Sequence, residues 1–516
     1  MLFSKESKGQ APANVVMPRD WTPRQKWLNV ILISFQAAFT PITSTMLAAG
    51  TPNIAADFHL TDTFSPRLPV ALYVLALGIG PLFLGPLSEM YGRRRIYVVN
   101  FSLFALCNLI CGFAPNIAVL AAFRFCAGLA GSASTTLSGA TVGDMFVPAE
   151  RARAQAIYGA APLLGPVIGG ILGGYIINGL GSWRWTMWIM TIAPGLSVLT
   201  CIFFLRETYT PFLMRKYGIF DPHAKLAGTQ PKPRFANTLL RPLRFLVMSP
   251  TCTIMAIYVG FGYGIFYFHI VTVPLVFGST PQGGLFSYEW NSANTGLAYL
   301  GLGIGSITGV ILAATLMNRC YKFVVSKMQK KSYTDVLESR IHRLETLLLA
   351  KPWEQYDCEY CSCDCGVHDE CCEMEHAGDV EEEDCPEARL PFMGIALVLT
   401  PIGLTIFAWT VSPNIHWIIP LIGAGIFGGG IMMAYVSIQN YLVDSFGDYA
   451  ASALAATALL RSPLACGLSL ISFQAYETLH YNWGTMLLAF VLIAMIPGPI
   501  LMFFYGKQLR GMGRMS

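Results

Sequence analysis

The chain has 516 residues, of which 54% are apolar and only 12% are charged. A soluble protein carries about twice that share of charged residues, so the composition excludes a water-soluble globular domain. The formal net charge of +4 hides an asymmetry, since residues 318–390 hold 17 of the 30 acidic residues and 9 of the 34 basic ones. The other basic residues cluster at the ends of apolar runs, which indicates membrane orientation and not nucleic-acid binding.

The chain begins with 26 polar and basic residues that contain no apolar core of a signal peptide. They predict a cytoplasmic N-terminal tail, 1–26. Twelve apolar runs follow, each near the roughly 20 residues that cross about 30 Å of hydrocarbon. The predicted spans are 27–50, 68–89, 95–115, 118–144, 153–177, 185–205, 246–277, 293–316, 392–411, 415–441, 450–475 and 484–505.

Lysine and arginine predict the orientation of these spans. They follow spans 2, 4 and 6, whereas the connections after spans 3, 7 and 9 contain neither residue. The positive-inside rule therefore places both termini in the cytoplasm.

The basic stretch between spans 6 and 7 divides the chain into two halves. We predict a six-helix bundle at 27–205, a cytoplasmic central loop at 206–245, a second bundle at 246–316 and 391–505, and a cytoplasmic tail at 506–516. The predicted fold class is an all-α membrane protein with twelve transmembrane helices in two pseudo-symmetric six-helix halves. Asp144 and Asp444 end spans 4 and 10, the equivalent spans of the two halves.

A short charged turn joins spans 2 and 3. Gly85 and Pro86 are predicted to end span 2, and Gly92 to adopt the positive φ that a tight reversal requires. Glu89 lies four residues before Arg93, so a carboxylate–guanidinium contact can form at the membrane boundary. The alternative is that the basic residues only anchor that boundary.

Spans 4 and 5 contain two further patterns. Arg124 lies within span 4, where a guanidinium is costly and should face protein or a water-filled cavity; the alternative is that it snorkels to the outer interface. In span 5, Gly165, Gly169 and Gly173 are spaced four apart and form one helical face that lets a neighbouring helix approach closely. Ordinary small-residue packing is the alternative for that face.

These motifs, in this order, resemble those of the major facilitator superfamily. The turn from Gly85 to Arg95 resembles the family pattern G-x-L-[DE]-x-x-G-R-[RK], and Arg124 with Gly128 resembles R-x-x-x-G. The run from Gly159 to Gly170 resembles the antiporter signature of the drug:proton antiporters. Arg206–Pro211 resembles the P-E-T-Y segment of fungal members, with Arg206 at the usual proline position. The chain is therefore similar to the fungal twelve-span drug:proton antiporters.

The resemblance implies roles for three groups of residues. A conformational latch would comprise Glu89, Arg93, Arg94, Asp144 and Arg151. Coupling in span 4 would involve Arg124 and Gly128. The antiporter motif would comprise Gly159, Gly165, Pro166, Gly169 and Gly170.

The same resemblance implies a function. It predicts proton-coupled efflux of drugs or fungal secondary metabolites by alternating access, with no cofactor and a proton gradient as the energy source. The expected partners are the bilayer, protons and a small-molecule substrate, with no nucleic acid. We expect a monomer in the plasma membrane, with the vacuolar membrane as the alternative.

Aromatic and charged residues in the second half predict a substrate cavity. Tyr263, Tyr267 and His269 give span 7 a partly polar aromatic face, and such residues line ligand cavities. Arg461 lies deep in span 11 and joins this predicted cavity, with Glu477 or Asp444 as its expected partner. Span 1 contains no acidic residue, so no membrane-embedded proton carrier is identified.

An insert at 317–390 separates spans 8 and 9. It is acidic, and seven of the 14 cysteines lie in it between Cys358 and Cys385. We predict a largely disordered cytoplasmic segment with a short helical seam at Leu337, Ile341, Leu344 and Leu348. One alternative is a zinc site at Cys358, Cys361, Cys365 and His368, whose spacing suits zinc. Another alternative is a retained intron or an incorrect gene prediction.

Two other functions remain open from the sequence. One is a nutrient or polyamine importer of the same superfamily, and the other is a non-transporting sensor that uses the insert. An enzyme is not expected, because the chain has no P-loop, HExxH or GxSxG motif in a supporting context.

Overall fold

The computed structural model describes residues 16–62, 64–146, 148–217, 235–278, 285–349, 386–446 and 450–512. The described residues are helical in all but short connections. The helices are α1 (Pro23–Ala49), α2 (Thr51–Asp57), α3 (Leu68–Tyr91), α4 (Arg93–Gly112), α5 (Ile117–Met145), α6 (Pro148–Leu180), α7 (Arg184–Phe204), α8 (Thr210–Tyr217), α9 (Phe235–Met248), α10 (Pro250–Phe277), α11 (Ser292–Leu349), α12 (Leu390–Thr410), α13 (Ile418–Phe446), α14 (Ala450–Ala494) and α15 (Pro497–Met512).

Local sequence explains where several of these helices begin. Asn116 accepts a hydrogen bond from the backbone N–H of Val119 at 2.9 Å, which caps α5. Ser249 caps α10 in the same way and is followed by Pro250, whose fixed φ suits the first turn of a helix. These caps satisfy backbone groups that a helix cannot satisfy itself.

Ten helical segments of the described residues are long and apolar enough to cross a membrane. Two features bear on the predicted count of twelve. One is α6, whose 33 residues are long enough for a crossing but whose side chains are described as an apolar run only from Gly165 to Leu180. The segment Ser452–Arg510 has 59 residues, too many for one crossing, and the backbone leaves helical geometry within it at His480, where φ is 56°.

The helices form two bundles that follow the chain. Helices α1, α3, α4, α5, α6 and α7 pack on one another, and α10 to α15 pack on one another. The bundles meet mainly along α6 with α11 and along α3 with α14. This arrangement agrees with the predicted halves.

The backbones of α3 in the first half and α14 in the second approach closely at Gly78. A Cβ atom at Gly78 of α3 would lie 2.7 Å from the backbone oxygen of Ala458 in α14. At Gly85, two turns further along α3, a Cβ atom would meet nothing within 4 Å. At the opposite end of α3, the Arg67 guanidinium lies 4.9 Å from the ring centre of Phe473. The halves therefore touch at the end that the positive-inside rule places outside.

A second contact, within the first half, stabilises that same end. Arg184 forms an ion pair with Asp57, and the indole of Trp183 donates a hydrogen bond to the same carboxylate at 3.1 Å. Burial opposes ionisation of Asp57, but these hydrogen bonds outweigh it and lower the pKa of the carboxyl group. Asp57 is therefore a carboxylate at physiological pH.

The structure differs from the sequence prediction at the central loop and the insert. The predicted loop contains helices α8 and α9, and span 7 begins at Pro250 and not at residue 246. Residues 317–349, assigned to the insert, continue α11 as a helix, which includes the predicted helical seam. Residues 386–389 form a short 3-10 helix, whereas residues 350–385, with the predicted zinc ligands Cys358, Cys361, Cys365 and His368, lie outside the described residues.

Candidate functional site

The turn between α3 and α4 is tight because of one glycine. Gly92 has φ 88° and ψ 154°, a conformation that residues with a Cβ atom rarely adopt. The prediction of a positive φ here is confirmed. The prediction that Gly85 and Pro86 end span 2 is wrong, because α3 continues through both residues to Tyr91. Proline is tolerated inside a membrane helix when neighbouring groups satisfy the freed carbonyl.

Arg93, the first residue of α4, connects this turn to α5. Its Nε atom lies 3.3 Å from Oδ2 of Asp144, and its Nη1 donates a hydrogen bond to the hydroxyl of Ser88. Its guanidinium also lies 4.9 Å from the ring centre of Tyr209. The Arg93 side chain is only 9% exposed and that of Asp144 20% exposed, so this ion pair is largely shielded from water.

Glu207 caps the start of α4. Its carboxylate accepts hydrogen bonds from the backbone N–H groups of Arg93 at 2.8 Å and Arg94 at 3.1 Å. A carboxylate at a helix N-terminus is favourable because the unpaired N–H groups give that end a partial positive charge. Glu207 thus ties the segment after α7 to the turn between α3 and α4.

Glu89, near the end of α3, contacts the segment after α7 through its backbone. Its carbonyl oxygen accepts a hydrogen bond from Arg215 at 2.9 Å. Among the described residues, Glu89 forms no ion pair, and Asp144 is the carboxylate partner of Arg93. Burial and then the charge of Glu89 raise the pKa of Tyr209, so this phenol stays neutral at physiological pH. The role of Glu89 in a latch stays a prediction, and the side chain of Arg151 is not described.

The second half repeats the first at the equivalent position. Arg389 immediately precedes α12 and forms an ion pair with Asp444 near the end of α13. In the first half, Arg93 at the start of α4 pairs with Asp144 at the end of α5. Asp444 is therefore the counterpart of Asp144 and not the partner of Arg461. The sequence pointed to the two acids and placed Arg93 in a latch with Asp144, but it did not identify Arg389.

The glycines of α6 form two faces. A Cβ atom at Gly173 would lie 2.8 Å from the Met46 backbone of α1, and Gly165 and Gly169 also abut α1. The predicted close approach of a neighbour is confirmed, and that neighbour is α1. Gly170 points to the other half, where a Cβ atom would lie 2.5 Å from Cγ of Tyr299 in α11. Gly159 lies in α6, but its surroundings are not described.

Arg124 is fully buried among helices of the first half. Its Nη atoms donate long hydrogen bonds to the Thr43 carbonyl at 3.3 Å and to Oδ1 of Asn108 at 3.4 Å. Its guanidinium lies 4.1 Å from the ring centre of Tyr73, while its Nε has no partner. The alternative that Arg124 snorkels to the interface is wrong. Gly128 lets α3 approach here, because a Cβ atom would lie 2.8 Å from that of Ala76.

Arg461 lies within α14 of the second half. Its Nη1 donates a hydrogen bond to the Tyr435 hydroxyl at 2.9 Å, and the guanidinium lies 4.5 Å from the ring centre of Tyr263. Its Nε has no partner. The predicted pairing with Glu477 or Asp444 is wrong, since Asp444 pairs with Arg389 and Glu477 forms no ion pair in the described part of the chain.

The predicted cavity residues divide into two groups. The rings of Tyr263 and Tyr267 lie 5.0 Å apart, beside Arg461. His269 is buried elsewhere, with its ring 4.3 Å from that of Phe407 in α12. The structure therefore brings Tyr263, Tyr267 and Arg461 together and leaves His269 out.

Comparison with known proteins identifies the family. A sequence model of the Major Facilitator Superfamily matches residues 33–330, more than half of the chain. The chain belongs to this superfamily. It is 34% identical to a Floropilus chiversii protein named Efflux pump radE, over 97% of this chain and 83% of that protein. It is 33% identical to MFS transporter cpaT of Aspergillus oryzae, over 98% of this chain and 92% of that protein.

Solved structures show the same fold. The superfamily's proton:xylose symporter XylE from E. coli superimposes with a TM-score of 0.62 at 12% identity, covering 96% of this chain and 100% of that one. A bacterial homologue of the human lysosomal transporter Spinster gives a TM-score of 0.55 at 13% identity, over 96% and 100% of the two chains. At these identities the likeness establishes the fold alone.

Membership of the superfamily confirms three predictions. The chain has the major facilitator fold, resembles fungal members of that superfamily and is a membrane transporter and not an enzyme. Its substrate is a small molecule, and it works in the lipid bilayer.

Glu207 is the functional candidate that sequence reasoning missed. The sequence contained a signal, since Glu207 is the acid of the segment that resembles P-E-T-Y. Its partners could not be inferred because they are backbone N–H groups more than 100 residues earlier in the chain. Every residue except proline has a backbone N–H group, so residue types do not indicate which of these groups donates a hydrogen bond to a distant carboxylate.

Replacing Glu207 tests its capping role. We expect Glu207→Ala to lower the thermal stability of the purified transporter, with a loss of about 1–2 kcal/mol, because loss of a helix cap typically costs that much. Glu207→Gln keeps one acceptor oxygen and should lose less. Melting curves in detergent measure both, with Glu89→Ala as the control because the Glu89 side chain forms no such cap. Equal melting of Glu207→Ala and the unmodified protein would contradict the cap.

Proposed function

We propose that this transporter exports small amphipathic compounds, in exchange for protons, by alternating access of its two halves. The observation that carries the proposal is the double glycine face of α6, which consists of Gly165, Gly169 and Gly173 on one side of the helix and Gly170 on another. One face abuts α1 in its own half, and the other abuts Tyr299 of α11 in the opposite half. A helix packed this closely on both sides couples the shape of one bundle to the interface between the two, as rocking of the halves requires.

The direction of transport rests on two supports. The glycine pattern of α6 resembles the antiporter signature, and one relative, similar over nearly the whole chain, is named an efflux pump. We therefore infer export of drugs or of the host's own secondary metabolites across the plasma membrane, by a monomer with both termini in the cytoplasm.

Proton coupling is the second part of the proposal. One proton entering through a potential of 100 mV releases roughly 2.3 kcal/mol, and a pH gradient adds to this. In the ten candidate spans, every acidic residue lies within three residues of a helix end or of the break at His480. We therefore assign proton binding to a carboxylate at a helix end, with Asp144, next to Arg93, as the first candidate.

Dye efflux tests the function directly. Yeast that lacks its own major drug pumps would express the chain and be loaded, in separate cultures, with Nile red, a neutral amphipathic dye, or with fluorescein, an anionic one; loss of either dye counts as export. We expect faster loss of dye than from cells with an empty vector, and we expect a protonophore to abolish the difference. Faster accumulation would instead support an importer. Unchanged export with the protonophore would contradict proton coupling but not export.

A further inference from the structure

We propose that the exported compound carries a negative charge, and that Arg124 and Arg461 bind this anion from opposite halves of the transporter. This inference rests on the proposed function, because it names the substrate class of the same central site. It begins from a charge imbalance. The candidate spans contain these two guanidiniums deep within helices, while their acidic residues lie near helix ends.

Neither guanidinium has a carboxylate partner among the described residues. Arg124 bonds only to uncharged oxygens, at 3.3 and 3.4 Å, and Arg461 bonds to the Tyr435 hydroxyl. A guanidinium cannot lose its proton to escape burial, so both residues remain cations. An uncompensated cation in a membrane protein is costly, which is why such residues face a functional cavity or a partner.

Each guanidinium also keeps an unused donor. Nε of Arg124 and Nε of Arg461 are buried and have no hydrogen-bond partner. A buried donor without a partner is unfavourable, because it loses its bond to water and gains none. A bound anion would remove this cost at both residues.

Tyrosines connect the two arginines across the interface. Tyr73 covers Arg124 at 4.1 Å, and Tyr263 covers Arg461 at 4.5 Å. Tyr267 lies 5.0 Å from Tyr263 in α10, and α10 packs on α1, whose Thr43 carbonyl accepts the hydrogen bond from Arg124. The centre of the molecule thus offers two cations, with aromatic rings between them.

This arrangement selects one chemical class of ligand. An organic acid could place anionic groups against the free Nε donors of the guanidiniums and its apolar part against the rings. An amphipathic cation would be repelled by both arginines, although the rings alone would suit it. We therefore commit to an amphipathic organic anion.

Dye binding to the purified full-length transporter tests the inference without any gradient. Fluorescein and tetramethylrhodamine methyl ester share a xanthene core, but at neutral pH the first is an anion and the second a cation. Fluorescence anisotropy would measure both affinities. We expect fluorescein to bind more tightly, and we expect Arg461→Gln and Arg124→Gln each to weaken its binding on the order of ten- to a hundredfold, with no loss for the cation.

Two further variants separate charge recognition from packing. Arg461→Lys keeps the charge and should recover part of the fluorescein affinity. Arg184→Gln removes a guanidinium that already pairs with Asp57, and it should change neither affinity. Equal affinities for both dyes in the unmodified protein, or equal losses for both dyes in the variants, would overturn the inference. A transporter that binds the anion without exporting compounds would instead contradict the proposed function and leave the anion site standing.

Discussion

Arg93→Asp should reduce transport by about tenfold or more at unchanged amounts of protein in the membrane. Arg93 and Asp144 are largely shielded from water, and breaking a buried ion pair by losing one partner costs about 3–5 kcal/mol. Charge reversal also places two carboxylates together. If the contact belongs to one transport state, a cost of that size shifts the population almost entirely to the other state. Dye export per transporter measures the effect.

A charge exchange makes this prediction specific. Asp144→Arg alone should be as harmful as Arg93→Asp, whereas the double variant restores opposite charges and should recover part of the activity. The second half supplies a matched control in the pair formed by Arg389 and Asp444, which lies at the equivalent helix ends. Exchanging those charges tests whether the two pairs contribute alike.

Two outcomes would count against this role of the pair. Full activity of Arg93→Asp would show that the basic residues act only as membrane anchors, the alternative that the sequence left open. Inactivity of the double variant, with normal folding, would show that position and not charge complementarity matters at these sites.

The sequence predicted most of the fold because a membrane imposes simple constraints. Length of apolar runs and placement of basic residues gave the two halves, and helices α1, α3 to α7 and α10 to α13 lie where spans were predicted. Pro86 shows where this reasoning fails. Proline ends helices in water, but α3 continues through it, because packing against neighbours in the bundle can satisfy the freed backbone groups.

Pairings within the site were less predictable than its members. Arg124 and Arg461 were singled out because charges inside spans are costly, and the structure places both within the bundle. Arg124 contacts a backbone carbonyl, the Asn108 amide and a tyrosine, and Arg461 contacts tyrosines. Many residues of the chain carry such groups, so the sequence does not identify which of them are the partners. An acid was expected for Arg461 by the rule of opposite charges, yet Asp444 is taken by Arg389. The expectation that opposite charges pair does not indicate which of several charged residues on different helices form an ion pair.

Gly170→Ala should reduce transport by about tenfold or more, by preventing the halves from closing along α6 and α11. The added Cβ atom would lie 2.5 Å from Cγ and 2.9 Å from Cβ of Tyr299, well inside contact distance. The tyrosine cannot easily move away, because its side chain is 1% exposed and its hydroxyl donates to the carbonyl of Ile270 at 3.0 Å. A clash at a tightly packed site typically costs about 1–3 kcal/mol, enough to change the balance of two states tenfold.

The same helix contains a control, and the clashing partner provides the rescue. Gly179 also lies in α6, but a Cβ atom there would meet nothing within 4 Å, so Gly179→Ala should transport normally. Adding Tyr299→Ala to Gly170→Ala removes the ring and should recover activity in part, since the Cβ atom at 2.9 Å remains. Equal losses at both glycines would point to a general need for a flexible α6. An unaffected Gly170→Ala variant would mean that the halves do not need to close at this contact, and the coupling assigned to the double glycine face would then be wrong.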